Sequence, residues 1–163
     1  MSRSTVPRDP AVTSRIMASV HSKDSRPELA LRKALHALGV RYRLHAAEVM
    51  GRPDLVIRKY KIAIFVDGDM WHGNAWRLRG KPDLASLFPT RTEWWTNKIQ
   101  TNMARDRTVN LALTEAGWRV VRIWESTILR STADAAELIA TEVASLKAAP
   151  RAYPPGSLIH LDL

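Results

Sequence analysis

The chain has 163 residues, with 25 Lys and Arg against 16 Asp and Glu, a formal net charge of +9 and a pI near 10.5. That length suits one domain with a real core, and the basic excess points to phosphate backbones, with a merely solvated basic surface or an anionic lipid surface as rival readings. No apolar run reaches membrane length, residues 1–7 hold no hydrophobic signal core, and the lack of cysteine excludes disulfides and thiolate zinc sites, which fits the cytoplasm.

Residues 1–13 are polar, basic and broken by proline, and are predicted to form a flexible arm. A short helix is predicted over 14–20, carrying Arg15. Ser25-Arg26-Pro27-Glu28 has the form of a capping box with proline in the first turn. Leu31, Leu35 and Leu38 continue that helix, and Gly39 ends it. Val40, Tyr42 and Leu44 alternate with Arg41, Arg43 and His45, as in a half-buried strand. Two more strands are predicted over 54–57 and 61–66, joined through Lys59 as an antiparallel hairpin. Residues 73–89 lack periodicity and read as a loop. Thr90 to Glu93 forms a second capping-box pattern, opening a helix that reaches Ala116 and stops at Gly117. Residues 118–124 read as a strand. Ser131 or Thr132 caps a last helix, with Leu138, Ile139, Val143 and Leu146 on one side. Three prolines after Ala148 predict an irregular tail over 148–163, leaving one domain over 14–147. This order, αβββαβ, predicts an α/β fold with a central mixed four-stranded sheet flanked by helices.

The chemistry is concentrated between Gly51 and His72. Asp54, Asp67 and Asp69 lie there with His72, Met70 and Trp71. A carboxylate pair on adjacent strands can hold a hard divalent cation. Such a cation can clamp a phosphate and acidify a water, and a nearby His can move the proton. With the basic charge, the set reads as phosphodiester hydrolysis on a nucleic acid. Each residue also has a plainer reading. Asp54 could be a turn residue after Pro53, Asp67 could open a turn with Gly68, His72 could be a loop histidine, and Glu28 could only cap its helix. Further on, Trp95, Ile99, Asn102, Asp106, Val109 and Leu113 follow helical spacing. Asn102 and Asp106 interrupt that apolar stripe. Buried polar groups need partners, so this turn is expected to meet the active site or an ordered network. Arg105 could contact phosphate.

An ordered set of motifs then accumulates: Arg15-Ile16-Met17, Glu28, Gly51-Arg52-Pro53-Asp54, Phe65-Val66-Asp67-Gly68, Trp71-His72, Thr92-Glu93-Trp94-Trp95, Lys98-Ile99, Asn102, Arg105-Asp106, Gly117-Trp118-Arg119-Val120 and Trp124-Glu125. Together they resemble the very-short-patch repair (Vsr) endonuclease family over about residues 14–126. The resemblance implies a restriction-endonuclease-like fold and nicking of one DNA strand beside a T:G mismatch. It implies one or two magnesium ions on Asp54 and the Val66 carbonyl and His72 as general acid/base; Glu28, if it does more than cap, is expected to orient water. Asp67 stands where some members carry a second catalytic His. An aspartate cannot act as an imidazole acid near pH 7 without a raised pKa, so Asp67 is expected on the metal. Met70, Trp71 and Trp95 match residues that wedge into the base stack, with Asn102, Arg105 and Arg15 as further DNA contacts.

Typical members also hold a structural zinc on Cys and His. The matching positions are Asp69, Asn74, Trp76 and Ser126, so zinc is expected to be absent, with a hydrogen-bond network among Asp69, Asn74 and Ser126 in its place. The implied partners are mismatched double-stranded DNA and other mismatch-repair proteins. A monomer near the nucleoid is expected. Another restriction-like nuclease, or a non-catalytic DNA-binding homologue, remains open at this point.

Overall fold

The computed structural model describes residues 23–148 and 158–161. The predicted arm, the helix over 14–20 with Arg15, and most of the tail lie outside the described residues.

Helix α1 spans Arg26–Ala37. Its capping box is half made. Ser25 Oγ accepts from the Glu28 N–H at 3.4 Å, but Glu28 Oε2 accepts from the Asp24 N–H at 2.8 Å. Glu28 thus turns inward, and is only 2% exposed. Leu31 and Leu35 form the buried side of α1, where truncation to alanine would cost about 2–5 kcal/mol. Strands β1 (Arg43–Leu44), β2 (Leu55–Ile57) and β3 (Ile62–Asp67) follow as antiparallel neighbours. A single 3-10 turn over Arg58–Tyr60 joins β2 to β3, closed by Lys61 at φ 49°, so the expected hairpin is present.

The stretch expected to be a loop contains the four-residue helix α2 (Ala75–Leu78) and a 3-10 turn over Ala85–Leu87. Both are too short for a periodic signal. Helix α3 spans Thr92–Glu115. Its start differs from the expected capping box. Arg91 is the cap, in the left-handed region, and Thr92 Oγ1 donates to the Phe88 carbonyl at 2.5 Å. Strand β4 (Arg119–Trp124) lies parallel to β3, with Ile62 opposite Arg119 and Asp67 opposite Trp124. Helices α4 (Glu125–Arg130) and α5 (Thr132–Ala148) come next. Ala135, Ala136, Ile139 and Val143 face inward on α5, whereas Leu138 is exposed.

Residues 158–161 correct the tail assignment. They form β5 (Leu158–Leu161), parallel to β4, so the sheet has five strands in the order β1-β2-β3-β4-β5 and not four. The upstream prolines hid a strand too short to show a periodic signal, and α5 supplies the crossover that a parallel pair requires.

Strand alternation sorts the sheet into two faces. Leu55, Ile57, Ile62, Ile64, Val121 and Ile123 pack with α1, α4 and α5. Val56, Ala63, Phe65 and Val120 pack with Val109 and Leu113 of α3. By the same alternation Asp67 and Arg122 belong to the α3 face. Among the described residues no helix is long and apolar enough to cross a membrane.

Candidate active site

Gly51 lets the chain enter the site. At φ 78° it occupies a region that favours glycine, and a Cβ there would collide with Val109 Cγ1. The turn delivers Asp54 to the start of β2, where Asp54 Oδ2 accepts from the Val66 N–H of β3 at 2.7 Å. Burial pushes the Asp54 carboxyl up to about 6 from its ordinary 3.8. The Val66 N–H and His45 pull it down, while the charges of Glu28 and Asp67 push it further up. Asp54 and Val66 share a pocket of about 430 Å³ with Asp67, His72, Arg105 and Asp106.

Glu28 and His45 stand beside this carboxylate. The His45 backbone N–H donates to the Asp54 carbonyl at 3.1 Å, and His45 Nε2 lies 3.4 Å from Glu28 Oε1 with no hydrogen-bond partner among the described residues. The sequence presented His45 only as an outward residue of an alternating strand. Its place beside Asp54 arises because β1 pairs with β2. Asp24, Glu28 and His45 lie close enough together to share a cation. Arg32, however, already bonds both Asp24 and Glu28 there.

His72 follows β3 in a turn whose His72 N–H donates to the Gly68 carbonyl at 3.1 Å. Its Nδ1 meets Asp106 Oδ2 at 2.5 Å. Burial would raise the Asp106 pKa, but the His72 hydrogen bond and the His72 and Arg122 charges outweigh it and hold the carboxyl below the usual range. An ionised Asp106 only accepts, so Nδ1 carries the proton and Nε2 is left to exchange one. Asn102 donates to the Trp71 carbonyl at 3.1 Å, and Arg105 donates to Asn102 Oδ1 at 3.3 Å. The polar interruption of the α3 stripe therefore buttresses the turn that carries Trp71 and His72.

Asp67 differs from its expected role. Both its oxygens accept from Arg122, from Nε and from Nη2, each at 2.6 Å. The carboxylate expected on a metal is thus neutralised by a guanidinium. Arg122 also reaches Asp106 Oδ1 at 3.1 Å, donates to Asn110 Oδ1 at 3.0 Å and lies over the Phe65 ring at 4.7 Å. Burial works against its charge, yet Asp67 and Asp106 hold its pKa above the ordinary value. The signal was present in the sequence: a lone arginine inside the run Val120-Val121-Arg122-Ile123-Trp124 is a buried cation that demands an acid.

The expected hydrogen-bond network among Asp69, Asn74 and Ser126 is present. Asp69 Oδ1 accepts from Asn74 Nδ2 at 2.6 Å and from Ser126 Oγ at 2.8 Å, and Oδ2 accepts from the Ser126 N–H at 3.0 Å. The Asp69 N–H donates to Glu125 Oε1 at 3.2 Å. These bonds tie the turn that carries Met70 and Trp71 to the start of α4.

The expected wedge residues Met70, Trp71 and Trp95 are half-buried. Trp71 and Trp95 lie 6.1 Å apart between ring centroids, Phe88 stacks on Trp95 at 5.2 Å, and Trp94 meets Trp95 edge-on at 4.8 Å. Trp94, which the sequence reading did not single out beyond its motif, is the exposed member at 45%.

A family model described as DNA mismatch endonuclease Vsr matches residues 7–78. The Type II nicking enzyme V.NmeDIP of Neisseria meningitidis serogroup C is 41% identical over 130 residues, covering 80% of this chain and 84% of that one. This chain belongs to the Vsr endonuclease family. The Type II nicking enzyme V.HpaIIP of Haemophilus parainfluenzae is 44% identical over 114 residues, 70% of this chain and 77% of the relative. The DNA mismatch endonuclease Vsr of Escherichia coli (strain K12) is 37% identical over 117 residues, 72% of this chain and 71% of the relative. As a Vsr-family member the chain is a DNA endonuclease of the nicking type, and its helix-flanked mixed sheet has the family's restriction-endonuclease-like architecture.

Proposed function

We propose that this endonuclease hydrolyses one DNA strand beside a T:G mismatch and that it needs magnesium to do so. The observation that carries the metal requirement is Asp54. It is a half-buried carboxylate whose one donor among the described residues is the Val66 N–H, and the nearby acids disfavour its charge. A cation would relieve that conflict, and carboxylate and carbonyl oxygens are the donors magnesium prefers. Asp54 and the Val66 carbonyl would hold it. When bound, it supplies charge for the phosphate and acidifies water. His72 Nε2, oriented through Nδ1 by Asp106, exchanges the proton. Glu28, turned inward beside His45, orients water near Asp54. Asp67 acts through Arg122, which holds the second oxygen of Asp106 and so fixes the His72 ring.

The aromatic cluster supports mismatch recognition. Met70 and Trp71 sit on a turn fixed by Asn102, Asp106 and the Asp69 network, and Trp95 heads α3 beside them. A rigid apolar wedge beside a hydrolytic pocket is suited to unstacking a base step. The Asp69 network makes zinc unnecessary at that position, and elemental analysis showing one stoichiometric, tightly held zinc would refute this point.

The test is cleavage of T:G-mismatched and matched duplexes with magnesium or with EDTA. The expected result is a nick in one strand of the mismatched duplex with magnesium alone. Equal nicking of matched DNA would defeat the mismatch reading, and nicking in EDTA would defeat the metal reading.

A further inference from the structure

A second cleft lies across His72 from the Asp54 pocket. It encloses about 680 Å³, larger than the pocket holding Asp54 and within the usual range for a bound small molecule or nucleotide-sized group. Asp67, His72, Asp106 and Arg122 line both spaces, so these four side chains form the wall between them. The far side is built from three separate elements: Arg77 on α2, Arg107 on α3 and Arg130 at the end of α4. Gly73 sets the approach of α2 to α3. At φ 85° it turns the chain after His72, and a Cβ there would lie 2.6 Å from Met103 Sδ. The short helix carrying Arg77 is therefore held close to the helix carrying Arg107.

The charge of this cleft is unbalanced. Among the described residues its only carboxylates are Asp67 and Asp106, and both already face Arg122, with Asp106 also on His72. Arg77 lies over the Trp76 ring at 4.9 Å, and neither Arg77 nor Arg107 has an acidic partner among the described residues. Elsewhere arginines do have such partners: Arg58 pairs with Glu48, Arg119 with Glu142, and Arg32 with Asp24 and Glu28. A concave surface with arginines from three directions, one imidazole away from a site of phosphodiester hydrolysis, matches the neighbouring phosphate of the same strand.

We infer that this cleft binds a backbone phosphate of the DNA strand being cut, through Arg77 and Arg107, next to the phosphate held at Asp54. The inference rests on the DNA-hydrolysing reading of the Asp54 pocket. Guanidinium groups suit this task because their fork of N–H donors matches phosphate oxygens. The contact carries no base information, so it acts alike on matched and mismatched DNA.

The test measures duplex binding in EDTA across a salt series. Each lost phosphate contact lowers the slope of log K against log salt by about 0.9. The double variant Arg77→Gln/Arg107→Gln, which removes both guanidiniums from that one phosphate, should therefore lose about 0.9 of slope, with affinity falling equally for matched and T:G duplexes. Arg77→Lys/Arg107→Lys keeps the charge and should keep the slope. Lys33→Gln, on the opposite face of the sheet, should also keep it. An unchanged slope in the double Gln variant overturns the inference, as does a loss confined to mismatched DNA. Both arginines are exposed, so melting of the variants should match wild type. Nicking is read separately. Slope loss without magnesium-dependent nicking sinks the proposed reaction alone, and nicking with an unchanged slope sinks the cleft alone.

Discussion

Asp67 ends β3 and Asp54 precedes β2, on neighbouring strands of one sheet, yet they have opposite surroundings. Asp67 meets a built-in cation through both oxygens, each 2.6 Å from Arg122. Asp54 meets one N–H, at 2.7 Å, with Glu28 and Asp67 adding like charge. A carboxylate that carries its own guanidinium is a closed unit, and removing either member strands a buried charge. A carboxylate pushed up to about 6 is open to an outside cation. Motif position put both aspartates on the expected metal, and their partners separate them.

The largest expected effect tests the open member. Asp54→Ala should cut magnesium-dependent nicking by roughly 10⁴-fold, about 5.5 kcal/mol in barrier, while binding stays within a few-fold because the basic surface is intact. A variant that nicks at the wild-type rate would remove Asp54 from the chemistry. The closed member is tested by stability. Arg122→Ala should destabilise the fold by about 3–5 kcal/mol in urea melts. Asp67→Asn should couple to it in a double-mutant cycle, without changing the magnesium concentration for half-maximal nicking. A raised magnesium requirement in Asp67→Asn would return Asp67 to the metal and erase the contrast.

Acidity sharpens the comparison further. Asp54 has a raised folded pKa, so its contribution to stability is complete below its ordinary 3.8 and is lost as pH rises through about 6. That span corresponds to about 3 kcal/mol. Metal-free protein should therefore become less stable from pH 4 to pH 7 on this account. Asp54→Asn should recover up to about 3 kcal/mol at pH 7 and should no longer be stabilised by magnesium. Asp106 runs the other way. Its lowered pKa contributes stability above its unfolded value that is lost as pH falls. Equal magnesium-induced melting shifts in wild type and Asp54→Asn would contradict the assignment.

The smallest effect concerns the turn between the two strands' site and α3. Trp71→Ala should lower T:G binding by about 1–3 kcal/mol, leave non-specific binding in place, and reduce tryptophan quenching on binding. Truncating a core tryptophan would instead cost about 3–5 kcal/mol of stability and weaken both binding modes together. Melting and binding of Trp71→Ala, compared directly, decide between wedge and core.

Most of the fold was legible because its signals are local. Ser25 and Glu28 mark α1, Gly117 ends α3 with its N–H on the Thr114 carbonyl at 3.0 Å, and the apolar run 62–66 announced a central strand. Residues 158–161 were not legible, since a short strand shows itself only when its parallel neighbour is in place. The same limit governs the site. Asp54, His72 and the Asn102–Asp106 interruption could be read along the chain. His45 and Arg122 act across strand pairs, so their roles depend on register. Arg122 faces Asp67 because Phe65 is its Cα partner and alternation puts Phe65 and Asp67 on one side.

The sheet starts with the two-residue β1 and finishes with the four-residue β5, and β4 between β3 and β5 is buried at all six positions. A chain shortened before Leu158 would lay bare the ladder groups of that apolar strand, which is a template for another molecule. Pairing of two such shortened chains through β4 would follow, making β5 a guard against self-association as well as a member of the fold.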